Sequence, residues 1–381
     1  MTSLASAAYS ALLLLLLSGC TRPGSAYYTV HVDTDAPLVR TDGALAPHAG
    51  FFDRLRIEVF DDQRDLVDVR DEAIHAEDFE QGPVSFGVEP HGGRRPYVHV
   101  VLYRAAQIAM TDAFPRTSIE VYARLPEAQE EDQPVVINLN VSTLGQATWL
   151  QPEEVARAPS PTSRAGSWPG AAPASCLGDA RPDEVCVPGG AFWWGDPYLH
   201  GVAQLGDADE ERLATMSAFF LDRTEVSTAA FRSAWPQLAG QGLPPPLLWS
   251  GGSSGDAPAD WATFTLEPTA QNTNDRRDDL PVNGVPWPTA RAYCQSLGKD
   301  LPTEAMLEFA ASGRGRENDY VWGERMPTCA DVVVARASVG YYQAYPGDCR
   351  PVGQLGGALP SGQAKKDRIS FDSDEEIVDL A

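Results

Sequence analysis

Six cysteines and six histidines are the side chains of this 381-residue chain with the widest chemical reach. A thiolate can act as nucleophile, disulfide partner or soft-metal ligand, and a pair of thiolates can hold copper. No Cys-x-x-Cys occurs, which argues against a zinc ribbon or a thioredoxin-type site. Cys176 and Cys186 flank one short polar loop, and Cys329 and Cys349 flank another. In an oxidising compartment each pair can close its loop, worth about 3 kcal/mol in the chain-entropy model. Cys294 lies in a helical pattern and reads as a buried free thiol. His31, His75, His91 and His99 scatter through strand-like sequence, and His48 lies in a loop. A 2-His-1-carboxylate iron site can be drawn from them. They show no His-x-x-x-His spacing, so they read as surface or turn histidines.

Cys20 belongs to a different chemistry. It follows an apolar stretch over residues 4–19 that includes the leucines from Leu12 to Leu17. The stretch is short for a membrane span and ends in small residues, which is the layout of a secretory signal. Leu17-Ser18-Gly19-Cys20 resembles the bacterial lipobox, in which the cysteine is acylated. The expectation is a lipid-anchored protein, held to the membrane through Cys20 in the periplasm or at the cell surface. Met1 to Ser10 contains no Lys or Arg, a departure that a misassigned start codon would explain.

The remaining residues need elements to position them, and the length suggests two domains, with three as the upper limit. Asp and Glu total 53 against 29 Lys and Arg, a net charge of −24 that repels phosphate backbones and disfavours nucleic-acid partners. From residue 27 to 150 apolar residues alternate. Leu55, Ile57 and Val59 form one run, Val84, Phe86 and Val88 another. Val98-x-Val100-x-Leu102, Ile119-x-Val121 and the run from Val135 to Val141 follow, separated by Pro and Gly. Short period-2 runs with such punctuation predict an immunoglobulin-like β-sandwich over residues 21–150. Residues 151–175 carry Pro152, Pro159, Pro161, Pro169 and Pro173 and read as a semi-extended linker. Residues 176–381 are rich in Trp and Gly, with few long periodic runs. They predict an irregular α+β domain with a core of large side chains.

That second module carries an ordered series of short motifs. Val187-Pro188-Gly189-Gly190 with Phe192 and Gly195 comes first, then Asp222 with Glu225-Val226. Pro281-Val282, Val285, Trp287, Ala290 and Tyr293-Cys294 follow. Next come Gly298-Lys299, Leu301-Pro302-Thr303-Glu304-Ala305, Glu308, Ala310-Ala311 and Trp322-Gly323. Locally, Ser227 or Thr228 can cap a helix burying Phe231 and Trp235. Ala290, Cys294 and Leu297 mark one face of a second helix stopped by Gly298. Thr303 caps a third, with Glu304 in its first turn and Met306, Phe309 and Ala310 facing the core.

In order and spacing the series resembles the sulfatase-modifying-factor family, whose founding member is the formylglycine-generating enzyme. The resemblance implies an irregular α+β domain related to C-type lectins. It implies copper only for a complete catalytic relative, whose redox cysteines lie nearer the C-terminus; none of the cysteines here matches them, so no catalytic residue is assigned. Cys294 matches a structural position. Calcium is implied as a second ion, with Asp331 and Asp379 as its candidate ligands. Three departures each remove a polar contact: Asp300 for Arg, Met306-Leu307 for Glu-Trp, and Pro286 for a capping Ser. The family's next motif would follow Ile377-Val378-Asp379-Leu380-Ala381, so the domain is expected to be truncated, leaving aromatic surface exposed. Residues 362–376 look unlike the family and read as a solvated insertion. Two functions compete: a lipid-anchored relative of the oxidase, and a non-catalytic surface protein binding glycan, peptide or protein partners. A sulfoxide-synthase role fits poorly, because its iron-binding histidines need a helical N-terminal bundle.

Overall fold

Alternation of apolar and polar residues builds the strands of the first unit, because a period of two puts every second side chain on the buried face. The computed structural model describes residues 27–41, 50–90, 95–108, 117–127, 132–156, 158–195, 211–250, 262–268, 277–313, 320–323, 332, 360–371 and 376–380. These form two compact units that divide between Trp168 and Pro169. Cys20, Cys329, Asp331 and Cys349 lie outside the described residues.

In the first unit β1 is Tyr27–Thr34, β2 Arg54–Phe60, β3 Leu66–Ala73 and β4 Val84–Val88. Then come β5 at Tyr97–Tyr103, a single turn α1 at Ala105–Ile108, β6 at Ile119–Arg124, β7 at Asp132–Leu139 and β8 at Ala147–Leu150. They make a three-stranded sheet in the order β4-β1-β7 and a five-stranded sheet in the order β3-β2-β5-β6-β8. The β1–β7 and β6–β8 pairs are parallel and the others antiparallel. Leu55, Ile57 and Val59 are buried, as are Val98, Val100, Leu102, Ile119 and Val121.

Residues 151–168 differ from the expected linker. Val155 is buried, Ala156 bridges Val136 of β7, and Trp168 donates its N–H to the Asp35 carbonyl. Asp33, only 3% exposed, receives the Ser163 hydroxyl at 2.5 Å and the Arg164 N–H at 3.1 Å. A buried carboxylate must be hydrogen-bonded, and this segment supplies the donors.

One histidine differs too, while His48 and His91 lie outside the described residues. His99 on β5 is 3% exposed, not a surface residue. Its Nδ1 lies 2.9 Å from Glu58 on β2 and its Nε2 3.3 Å from Glu120 on β6. Tyr122 stacks on its ring at 3.8 Å, and Trp149 stacks on Tyr122 at 4.2 Å. Desolvation would raise the Glu58 carboxyl, but His99 and Arg56 together hold it below the usual range. The His99 contact, ahead of desolvation, lowers Glu120.

Among the described residues the second unit is built from two-stranded pieces and three α-helices. β9 (Glu184–Val187) pairs with β12 (Phe219–Asp222), and β10 (Gly190–Trp194) with β11 (Arg212–Met216). The helices are α2 (Thr228–Gly240), α3 (Trp287–Ser296) and α4 (Glu304–Ala311), and a hairpin joins β13 (Arg368–Ser370) to β14 (Glu376–Val378). Ser227 caps α2 through the Ala230 N–H, and Thr303 caps α4 through the Met306 N–H. Gly189 passes so close to the chain that a Cβ there would meet the Met216 carbonyl at 2.5 Å. The Cys176–Cys186 disulfide is formed, with Cα atoms 6.0 Å apart.

Among the described residues two apolar clusters result. Val185, Val187, Phe192, Phe309, Ala310, Val321, Ile369 and Ile377 form one, with Trp322 packed against it. Phe231, Leu238, Phe264 and Tyr293 form the other, with Trp235 and Cys294 at its margin. Two expectations are corrected here. Ile369 and Ile377 bring the hairpin into the first cluster, so the stretch 362–376 is not simply a solvated insertion. On α3 the buried residues are Thr289 and Tyr293, whereas Leu297 is 46% exposed because the helix stops at Ser296.

Replacing His99 by Leu should leave the Glu58 and Glu120 carboxylates without the ring that both of them contact. A loss of about 3 kcal/mol in urea unfolding is expected, shrinking when Glu58 and Glu120 are also made Gln.

Candidate functional site

A cleft of about 680 Å³ opens in the second unit between the β9–β12 pair, the α3–α4 connection and β14. Phe220, Leu221, Leu301, Met306 and Ile377 give it apolar wall, while Glu184, Asp222, Glu225, Asp300 and Asp379 outnumber Arg181 and Lys299 among its charges.

One wall exists because of a charge conflict. Glu184 and Asp222 stand directly opposite each other in the β9–β12 register. Like charges in that position destabilise a strand pair. The Lys299 ammonium resolves the conflict by contacting Asp222, Glu184 at 3.0 Å and Asp183 at 2.9 Å. Burial alone would lower the lysine, but the hydrogen bonds to Asp222, Asp183 and Glu184 outweigh it and raise it above its ordinary range. Lys299 reaches this place because Gly298, at φ 71°, lets α3 end and the chain reverse, with the Lys299 N–H returning to the Cys294 carbonyl at 3.0 Å. Asp300, the departure from the usual Arg, instead pairs with Arg291 through two bonds at 2.8 and 2.9 Å. The Gly-Lys dipeptide was visible in the sequence, but its three carboxylate partners were not.

The other wall is acidic. Glu225 lies near Asp379 and Asp367, and burial, followed by repulsion from Asp379 and then Asp367, pushes its carboxyl up to about 7. Asp367 is 2% exposed and accepts the Leu380 N–H at 2.9 Å through its carboxylate. Asp379 has a positive φ of 61°, and its Oδ2 accepts the Gly362 N–H at 2.6 Å while Oδ1 is buried without a hydrogen bond. Its carboxylate therefore closes the β13–β14 hairpin. Among the described residues no group of three or more His, Cys, Asp and Glu side chains is placed to hold a metal ion.

The remaining motif residues are structural in their surroundings. The Glu308 carboxylate accepts the Gly195 N–H at 2.7 Å, tying α4 to the end of β10. Trp322 stacks on Tyr320 at 5.2 Å, just before Gly323 with its φ of 109°. Trp287 is 62% exposed, under the Arg291 guanidinium at 5.4 Å. Pro286, preceding α3, offers no side-chain cap, and Pro302 precedes the Thr303 cap. Glu304 sits in the first turn of α4. Burial pushes the Cys294 thiol up, away from the reactive thiolate. With Cys176 and Cys186 joined to each other, the described residues contain no pair of thiols to hold copper. Sequence reading also missed Arg277, fully buried, which donates to the Ala262 carbonyl at 2.8 Å and lies 3.6 Å over the Trp249 ring.

The sign of the Glu225 effect is fixed by its raised value. Folded, it keeps a proton that an ordinary carboxyl, near 4.5, has released. This contribution is fully present below pH 4.5 and is lost as the pH rises through about 7. Glu225→Gln should match the parent's melting temperature at pH 5 and exceed it at pH 8 by scanning calorimetry.

Comparison with known proteins places this geometry. Residues 172–356 match the family model described as "Sulfatase-modifying factor enzyme 1-like domain". The formylglycine-generating enzyme of Streptomyces coelicolor is 30% identical over 190 residues, covering 44% of this chain and 58% of that protein. The formylglycine-generating enzyme of Bos taurus is 29% identical over 163 residues, 37% of this chain and 42% of the relative. A mouse protein named inactive C-alpha-formylglycine-generating enzyme 2 is 31% identical over 179 residues, 39% of this chain and 54% of the relative. The chain thus spans about half the length of these curated relatives. Residues 172–356 are therefore a domain of the sulfatase-modifying factor enzyme 1-like family, the family of the formylglycine-generating enzymes.

Proposed function

We propose that this protein is exported and lipid-anchored through Cys20, in the periplasm or at the cell surface, and that its family domain binds a partner without oxidising it. The observation carrying this reading is the state of the thiols among the described residues: Cys176 and Cys186 are joined and Cys294 is partly buried, its thiol pushed up. The relatives named inactive, from mouse and from Bos taurus, the latter 49% identical over 63 residues, support a domain that keeps the scaffold without the chemistry. The cleft has apolar walls and an excess of carboxylates, which suits a protein or peptide segment carrying basic side chains; a glycan is the other class considered. We read the first unit as an immunoglobulin-like sandwich that supports this module, on the strength of its two sheets and alternating burial. The 30% identity to the Streptomyces enzyme favours a second reading, an oxidase of substrate cysteines.

One assay separates the two. Incubated with copper, oxygen and a Cys-x-Pro-x-Arg peptide, the purified chain should leave the peptide unchanged by mass spectrometry; an aldehyde product would establish the oxidase reading. Anchoring is tested separately. Cys20→Ser should move the exported protein from the detergent to the aqueous phase in a Triton X-114 partition and abolish fatty-acid labelling.

A further inference from the structure

We propose that β3 is a self-association edge, pairing antiparallel with β3 of a second copy of this chain to join two five-stranded sheets. Among the described residues β3 pairs only with β2, so its other side is the edge of the sheet. The unpaired N–H and C=O groups of an edge strand are a template for pairing with another chain. β3 runs for eight residues, shifts register against β2 opposite Val59 and Phe60, and exposes Leu66, Val67 and Val69 by 52%, 37% and 40%.

The strand is complementary to itself in one register. A two-fold axis perpendicular to the sheet keeps each side chain on its own face, so the axis must pass through a residue position. Centred on Val69, it sets Asp68 opposite the partner's Arg70, and Arg70 opposite the partner's Asp68. Val69 then meets its own equivalent, and no like charges stand opposite. Centring on Asp68 would oppose two aspartates, and centring on Arg70 two arginines as well as Asp68 and Glu72. Cross-strand pairs of opposite charge stabilise and like pairs oppose, which selects the Val69 register. Within one chain Arg70 already contacts Asp68 at 2.9 Å, reaches the Gly87 carbonyl at 3.4 Å and lies over the Phe86 ring. Both side chains of this pair keep about two-fifths of their surface exposed, enough to take a second partner.

The test uses the full chain in density-matched detergent, at about 150 mM salt to screen repulsion between two chains of charge −24. Sedimentation equilibrium should show the mass rising from one chain toward two with concentration. Asp68→Arg should weaken dimerisation by about tenfold or more, and Asp68→Arg combined with Arg70→Asp should restore it. Val69→Cys should form a disulfide-linked dimer under mild oxidation, since directly opposed Cα atoms lie roughly 5 Å apart. Val67→Cys should not, its equivalents being offset by about 13 Å. A chain that stays monomeric throughout overturns the proposal. So does a dimer indifferent to the charge swap, or one cross-linked equally well at both positions.

Discussion

Glu184 and Asp222 face each other across a two-stranded ladder, and the Lys299 ammonium between them makes that pairing tolerable. The second unit draws on this arrangement as well as on its two apolar clusters, because its regular pairing is sparse among the described residues. Among the described residues its sheets have two strands each, and isolated two-stranded ribbons are marginal in water. Lys299 connects one such ribbon to the end of α3, and four residues later Thr303 opens α4. Phe309 of α4 then packs on Phe192 of β10 at 5.0 Å, and the same cluster takes in Ile369 and Ile377. Helix termination, charge neutralisation and core closure thus follow in sequence within a dozen residues, and the cleft is the space they leave.

The first unit handles buried charge differently. His99 occupies the middle of a wide sheet, where its two carboxylates come from the strands on either side. The sheet itself is stabilised by continuous ladders and apolar alternation, so this polar group is an inclusion in a frame that already exists. The contrast tracks architecture. Where regular hydrogen bonding is plentiful, a charged cluster is local; where it is scarce, the cluster takes on a connecting role.

What could be read in the sequence divides along the same line. The strands around Leu55–Val59 and Val98–Leu102 and the caps Ser227 and Thr303 are local in origin, set by alternation and by hydrogen bonds spanning three residues. The motif order from Val187 to Gly323 was equally legible. The partners of Lys299 were not, being 77 to 116 residues away in the chain, nor was the link from His99 to Glu58, at a separation of 41. The β13–β14 hairpin escaped notice because each strand offers one deeply placed isoleucine among charged neighbours such as Arg368 and Glu376, which reads as solvated sequence. Leu297 misled because its apolar spacing continues a helix that Gly298 has already ended. The prolines of residues 151–175 correctly signalled irregular backbone, but irregular backbone is not free backbone when a buried carboxylate claims its amides.

That grip of Asp33 on Ser163 and Arg164 bears on how such a protein can be assembled by gene rearrangement. A crossover near residue 150, where the strand pattern stops, would strand a nearly inaccessible aspartate without its donors and weaken whichever lineage inherited it. The tolerated seam falls after Trp168, so the proline-bearing stretch up to that residue travels with the sheet-rich half as an inherited part of it.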